Sequence, residues 1–207
     1  VGTTFAVIQT HQDLVRWLVE QGAKVAVPTF TNVGIADRDN PGLRPTDEGK
    51  YYASKTREQI SLHRKLGCEL SLTCAPYQLP NQPGFGAHCA MSESNAISYF
   101  NRVVGARTQK YGDYLDLAAA LTGKVPYAGL HTDEGRRGQV HIEIDTLPEK
   151  LARDMLAFQL IGHAVGRIAV TKVPVIDGLY AGASLDHLRC ISAAAASSGG
   201  VTLYHAV

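Results

Sequence analysis

Gln139-Val140-His141-Ile142-Glu143-Ile144 alternates polar and apolar residues, with Val140, Ile142 and Ile144 on one face, and this period of two reads as a strand. Working downstream, Pro148 suits the first position of a helix, and Glu149 to Gly162 follow it with strong helix formers. Val173-Pro174-Val175-Ile176 is a short strand or extended piece. Ser184 then N-caps a helix through Ala196, Gly199-Gly200 ends it, and Val201 to Tyr204 form a final strand. Strand, helix, strand, helix, strand in this order predicts an α/β fold: a mainly parallel sheet layered with helices.

Upstream the alternation is looser. His11 to Gly22 places Leu14, Trp17 and Leu18 at helical spacing and stops on a glycine. Val25-Ala26-Val27 reads as a short buried strand closed by Pro28, and Thr29 to Asp47 as a long loop without periodicity. Gly49 to Leu66 is a charged helix with Ile60, His63 and Leu66 toward one face. Leu70-Ser71-Leu72-Thr73 alternates as a strand and delivers Cys74 at its carboxyl end. Ala75 to Ala87 is a loop rich in proline and glycine, and helices are expected over Ser94 to Val104 and Tyr114 to Leu121. With no repeat or internal linker, residues 1–207 read as a single α/β domain. The lack of an initiator Met and the rhythm broken off at Val207 read as an excerpt of a larger catalytic domain.

Composition removes several function classes. Twenty Lys and Arg against nineteen Asp and Glu leave a formal charge of +1, and basic residues cluster only in pairs such as Arg136-Arg137. Nucleic-acid and membrane-surface binders need basic excess or basic patches, so neither partner is expected. No apolar run is long enough to span a bilayer, no signal segment opens the chain, and a cytoplasmic location is expected. Cys68, Cys74, Cys89 and Cys190 are irregularly spaced and form neither a disulfide framework nor a C-x-x-C pair.

In open α/β sheets ligands bind beyond the carboxyl ends of strands, which selects the loops Pro28 to Asp47 and Cys74 to Ser94. The second is the richer. Pro76, Pro80 and Pro83 stiffen it, and it carries Cys74, His88, Cys89 and the polar run Ser92-Glu93-Ser94-Asn95. No metalloprotease, P-loop or nucleophile-elbow motif occurs. Arg107 emerges where a helix breaks, and its planar fork suits a substrate carboxylate. His131 and Arg136 lie in another polar loop and, taken singly, read as exposed.

Taken together, these segments resemble the aconitase X family. The resemblance is carried by Thr73-Cys74-Ala75-Pro76-Tyr77, Pro83-Gly84-Phe85-Gly86-Ala87-His88, Ser92-Glu93-Ser94-Asn95-Ala96 and Asn101. It continues through Gly105-Ala106-Arg107-Thr108, Tyr111-Gly112-Asp113, the run Ala119 to Pro126, Gly129-Leu130-His131 and Ser197-Ser198-Gly199-Gly200-Val201. What it implies is an aconitase-superfamily fold and a hydro-lyase that dehydrates cis-3-hydroxy-L-proline or mevalonate 5-phosphate. The Gly105 to Thr108 and Tyr111 to Asp116 segments look more like the hydroxyproline type.

The same resemblance implies an iron–sulfur cluster with Cys74 as its first ligand and the remaining ligands beyond Val207. It also implies a small swivelling domain, in cis or as a separate subunit, bearing a serine that acts in proton transfer. On this reading the chain binds a small hydroxy acid: Arg107 grips its carboxylate, His88, Ser94 and Asn95 line the pocket, and Thr31 and Asn32 face them from the first loop. The catalytic base is not assigned, and Glu93 is left as a positional residue. The competing reading is a non-catalytic carboxylate-binding domain, favoured by the lack of a second thiolate beside Cys74.

Overall fold

The computed structural model describes residues 1–32, 34, 46–112, 114–145 and 147–207. Much of the expected first loop, and Asp113, therefore lie outside the described residues. The fold is α/β, and its sheets are parallel as the alternation predicts: β1 (Gly2–Thr3) pairs with β2 (Phe30–Thr31), and β3 (Val140–Glu143), β4 (Pro174–Asp177) and β5 (His205–Ala206) form a second sheet in that order. Where the sequence reads as one domain, the packing groups the chain into two compact units. The first comprises Val1–Cys74 and Tyr111–Lys124, the second Ala75–Lys110 and Val125–Val207.

In the first unit, α1 (Gln9–Glu20), α2 (Asp47–Leu66) and α4 (Leu115–Thr122) accompany the small sheet. The ends of α2 are set by local chemistry. Thr46 Oγ1 accepts from Gly49 N at 3.1 Å, and Asp47 and Glu48 sit in the positive first turn. Gly67 closes the helix at φ 96°, its N–H reaching the Arg64 carbonyl. The predicted face is buried, with Ile60, His63 and Leu66 all under 9% exposed. Leu62 and Leu66 pack with Val15, Cys68 and Leu117.

Two strands predicted here are displaced. Val25 and Ala26 donate to the ends of α2 and α4, at Leu66 O and Ala120 O, and form no ladder. The ladder lies five residues later, where Thr31 N reaches Glu69 O and Glu69 N reaches Thr29 O. Only Glu69 of the next segment bridges to β2; Leu70 and Leu72 pack instead on the cluster of Phe5, Val7 and Ile60, with Leu72 at φ 47°. Alternating apolar residues report burial on one side, and burial does not require a neighbouring strand.

The second unit carries the sheet β3-β4-β5, α3 (Ser94–Tyr99), α5 (Glu149–Ala152), α6 (Met155–Ala169) and α7 (Leu185–Ser198). The helix expected from Glu149 to Gly162 is interrupted because Asp154 caps a new one, its carboxylate accepting from Leu156 N at 2.8 Å. α6 then runs on to Ala169 and lies close against α7. A Cβ on Gly162 or Gly166 would come within 2.8 Å of the backbone carbonyl of Ile191 or Ala195. Ser184 caps α7 as predicted, in a reciprocal box with His187. The last strand is again displaced: Val201, Leu203 and Tyr204 are buried, but the ladder bonds fall at His205 and Ala206.

The first unit also buries a pair of imidazoles. His11 and His63 are fully buried and stack with ring centroids 5.8 Å apart, and Tyr114 lies 5.0 Å from His11. Neither ring nitrogen of His11 has a hydrogen-bond partner among the described residues. Burial, and then the neighbouring His63, push the His11 pKa down from 6.5 to about 4. Burial also lowers His63, against the opposing pull of the Gln59 and Thr4 carbonyls and Asp116. The unfolded chain therefore binds more protons than the folded one between about pH 6.5 and 4. Stability of the chain is expected to be level between about pH 7 and 8 and to fall as the pH drops through that window, by roughly 3 kcal/mol for His11 alone. Urea titrations at pH 7.5 and 5 measure the loss, and His11→Phe, which keeps a ring but cannot titrate, is expected to reduce it.

Candidate functional site

Within the second unit, a short parallel ladder brings two predicted site residues side by side. Gly86 N donates to Gly105 O, Arg107 N to Ala87 O and Cys89 N to Arg107 O, at 2.8–2.9 Å, so His88 and Arg107 are bridge partners. Paired residues in a parallel bridge present their side chains on one face. The ladder begins where α3 gives way to a π-helical turn, Phe100–Val104, closed by Gly105 at φ 73°. The helix break expected ahead of Arg107 is this turn.

The loop that follows Gly129 supplies the rest. His131 is fully buried, and its Nδ1 lies 2.9 Å from Nδ1 of the exposed His88, with the rings stacked at 5.1 Å and 12°. Arg107 donates from Nη1 to the His131 carbonyl at 2.9 Å and from Nη2 to the exposed carboxylate of Asp133. The Arg107 guanidinium holds the Asp133 carboxyl below the usual carboxylate range. Burial, then His88, Arg107 and Arg136, drive the His131 pKa down to about 4, so its ring is neutral at physiological pH. Tyr127, 77% exposed, sets its ring 6.0 Å from that of His88.

Arg136 fixes this arrangement. Its Nη1 reaches Asn101 Oδ1 at 2.9 Å and the carbonyls of Ala106 and Leu130 at 3.3 Å, and its Nη2 reaches Asn101 O at 2.9 Å. Ala106 and Leu130 immediately precede Arg107 and His131. Asn101 in turn accepts from Thr108 N and donates to Thr108 O, clasping the residue after Arg107. His205 Nε2 meets the Arg136 carbonyl at 2.7 Å. His131 and Arg136 read singly as exposed in the sequence; the structure buries His131, joins it and Asp133 to Arg107, and sets Arg136 on the carbonyl that precedes Arg107. The signal available beforehand was a dense charged run, His131 to Arg137, folded between glycines at 129, 135 and 138.

The other predicted residues are distributed as follows. Asn95 is half-buried, accepts from Ala96 N at 2.9 Å and donates to the Tyr77 hydroxyl at 3.3 Å, while Ser94 opens α3 beside it. Glu93 sits at the N-cap position of that helix but its side chain makes no cap bond. Cys74, Thr31 and Asn32 belong to the first unit, and His88, Ser94, Asn95 and Arg107 to the second. Thr31 is not on a loop: it lies in β2, fully buried, and Asn32 N continues the ladder to Thr3 O.

An iron–sulfur cluster needs several thiolates. Cys74 is exposed, but Cys68 and Cys89 are buried and burial pushes both thiols up to about 11. No group of three or more His, Cys, Asp or Glu among the described residues could hold a metal ion. These residues do not by themselves fit a cluster, and offer at most one ligand to it. Among the described residues no helix is long and apolar enough to cross a membrane.

The family model of the aconitase X first domain matches residues 1–134, and that of the second domain matches residues 138–207. The chain belongs to the aconitase X family. Its relatives include the cis-3-hydroxy-L-proline dehydratase of Hypocrea jecorina, 35% identical over 92% of this chain and 32% of that protein. They also include the phosphomevalonate dehydratase large subunit of Methanothermobacter thermautotrophicus, 42% identical over 89% of this chain and 44% of the relative. The crystal structure of Thermococcus kodakaraensis aconitase X in its holo-form superimposes with a TM-score of 0.84 at 33% identity, covering 99% of this chain and 50% of that one. The chain thus spans a third to a half of these aconitase X proteins.

Loss of Arg136 is expected to unseat the site. Arg136→Met leaves the Asn101 side chain and the Ala106 and Leu130 carbonyls without their charged donor and should destabilise the chain by about 3 kcal/mol, read as a lower denaturant midpoint.

Proposed function

We propose that this chain forms part of a hydro-lyase that dehydrates a small hydroxy acid, with cis-3-hydroxy-L-proline as the first candidate substrate. The observation that carries this reading is the state of Arg107: its Nη2 already meets a carboxylate oxygen, that of Asp133, at a solvent-exposed edge beside His88, while its Nη1 is held by the His131 carbonyl. A substrate carboxylate offers the same kind of oxygen and can take the place of Asp133 on Nη2. Fixed there, the substrate's hydroxyl and ring fall to His88, with Ser94 and Asn95 of the same unit as further polar candidates, whereas the burial of Thr31 in β2 removes it from the set. Removing an α-proton leaves negative charge that spreads into the carboxylate, and the Arg107 guanidinium stabilises it where it develops.

Cys74 is proposed as the single ligand this chain gives to an iron–sulfur cluster, which supplies Lewis-acid assistance when bound. The other ligands, and a small domain or subunit, belong to the remainder of the enzyme; the naming of several relatives as large subunits supports such a partner. The same names, at up to 42% identity, favour mevalonate 5-phosphate as the second substrate reading. The first is retained on the Gly105-Ala106-Arg107-Thr108 segment. A carboxylate-binding domain without catalysis is the remaining alternative.

The test uses the full-length protein prepared without oxygen. Arg107→Lys keeps the charge and removes the fork, which is expected to cost about 1.5–3 kcal/mol, or a ten- to hundredfold fall in kcat/KM for cis-3-hydroxy-L-proline. Mevalonate 5-phosphate has a second anionic anchor, so its turnover should suffer less. Full activity in the Lys variant would reduce Arg107 to a surface charge.

Metal content gives an independent check. Cys74→Ala should abolish iron incorporation, whereas Cys190→Ala should leave it unchanged, because Cys190 is half-buried against the α6–α7 core and accepts from Gln159 Nε2 at 3.8 Å. Equal iron losses would refute that division, and a colourless, iron-free wild-type protein would favour the binding domain.

A further inference from the structure

We propose that His131 is a positioning residue for His88, holding it by the Nδ1–Nδ1 contact so that its Nε2 faces outward with one orientation and one protonation pattern. The inference deepens the reading of this site as substrate-facing and rests on it. At 2.9 Å the contact is a hydrogen bond only if one nitrogen carries a proton and the other does not. One ring must therefore donate and the other accept.

The surroundings decide which. His131 is fully buried, with the guanidinium groups of Arg107 and Arg136 facing it, whereas His88 is exposed. Among the described residues, the carboxylate of Asp133 is held on Arg107, and the Tyr127 ring lies against His88. Burial and the neighbouring guanidinium groups thus keep the inner ring neutral. When His88 is an imidazolium its Nδ1–H donates to His131, which accepts as a neutral base.

The aim of the outer nitrogen is fixed by backbone as well as by the ring contact. His131 N donates to Ala128 O at 3.2 Å, its carbonyl accepts from Arg107, and the preceding carbonyl accepts from Arg136. His88 is held from the other side by the ladder that flanks it at Ala87 and Cys89. A neutral partner has a further chemical use. A carboxylate behind His88 would orient it equally well but would place negative charge next to an anionic substrate; an imidazole orients without that repulsion.

The experiment uses full-length protein carrying His131→Asn, His131→Asp, His88→Asn and the double His88→Asn/His131→Asn change. For hydroxy-acid turnover, H131N is expected to lower kcat roughly ten- to hundredfold with KM within about threefold, and the double variant to be no worse than H88N. H131D puts a carboxylate behind His88, favours its imidazolium, and should move the limb of the pH–rate profile that reports His88 up by about one unit. Long-range proton–nitrogen NMR of histidine-labelled protein should give one tautomer for His88 in the wild type and a mixture in H131N. The proposal is overturned if His88 keeps one tautomer in H131N, or if activity in H131N falls only in step with the melting temperature while H131D leaves the pH profile in place. Should neither hydroxy acid be turned over, the functional reading fails, and the tautomer measurement still decides whether His131 sets His88.

Discussion

One guanidinium, that of Arg136, is the constraint on which the second unit's chemistry depends. A buried carbonyl left without a donor is costly, and three peptide carbonyls together with an amide oxygen converge on this single planar donor set. Because Arg is always charged and presents its donors in a rigid fan, it ties segments that are distant in sequence without a choice of protonation state. Lysine could neutralise one of these acceptors but not span them. Arg107 and His131 each follow a carbonyl that Arg136 holds, so their side chains start from pinned positions and need few contacts of their own.

Both units bury polar atoms without a hydrogen-bond partner among the described residues, at Ser98, Thr108 and Ser192 in the second as in the first, but the second also carries a polar network. In the second, Asn101, Arg136, Thr108 and His205 form a connected set of donors and acceptors, the condition under which a polar interior gives rigidity. In the first, His11, Thr56 and Gln59 bury polar atoms that have no hydrogen-bond partner among the described residues. Ring stacking and tight packing hold the imidazoles there in their neutral form. Both units therefore bury an imidazole that folding keeps neutral, His11 in the first and His131 in the second, and the second adds the Arg136 guanidinium, a charge that does not titrate in the physiological range.

What the sequence made legible follows from what sequence patterns encode. Helix ends are local: Thr46 before α2, Gly67 after it and Ser184 before α7 act through hydrogen bonds to residues within one turn, and each is found where its residue type predicts. Strand ladders are not local. Val201 and Leu203 are buried, and Leu70 and Leu72 partly so, as their alternation implies, but which backbone groups pair is decided by segments far away, so the ladders fall at Phe30–Thr31 and His205–Ala206 instead. The same division governs the site. Arg107 and His88 could be singled out because each sits beside a recognisable break or a glycine-rich loop. Their adjacency, and the burial of His131 against them, arises from a parallel bridge between residues 19 apart and from a loop pinned by Arg136, and no residue-by-residue reading contains it.

The division of the chain between the units bears on how the molecule reaches its folded state. Each unit is built from two separate stretches, so the backbone passes from one to the other at residues 74, 110 and 124. The first unit lacks α4, and with it Leu117 for its core, until residue 124 has been made, by which time the opening stretch of the second is already present. The bond between His205 and the Arg136 carbonyl closes a separation of 69 residues, near the end of the chain. Contacts of this span are entropically expensive to form early and slow the search for the native state. Synthesis from the N-terminus therefore delivers the His88–Arg107 ladder before Arg136 and His205, whose bonds secure it, have been made.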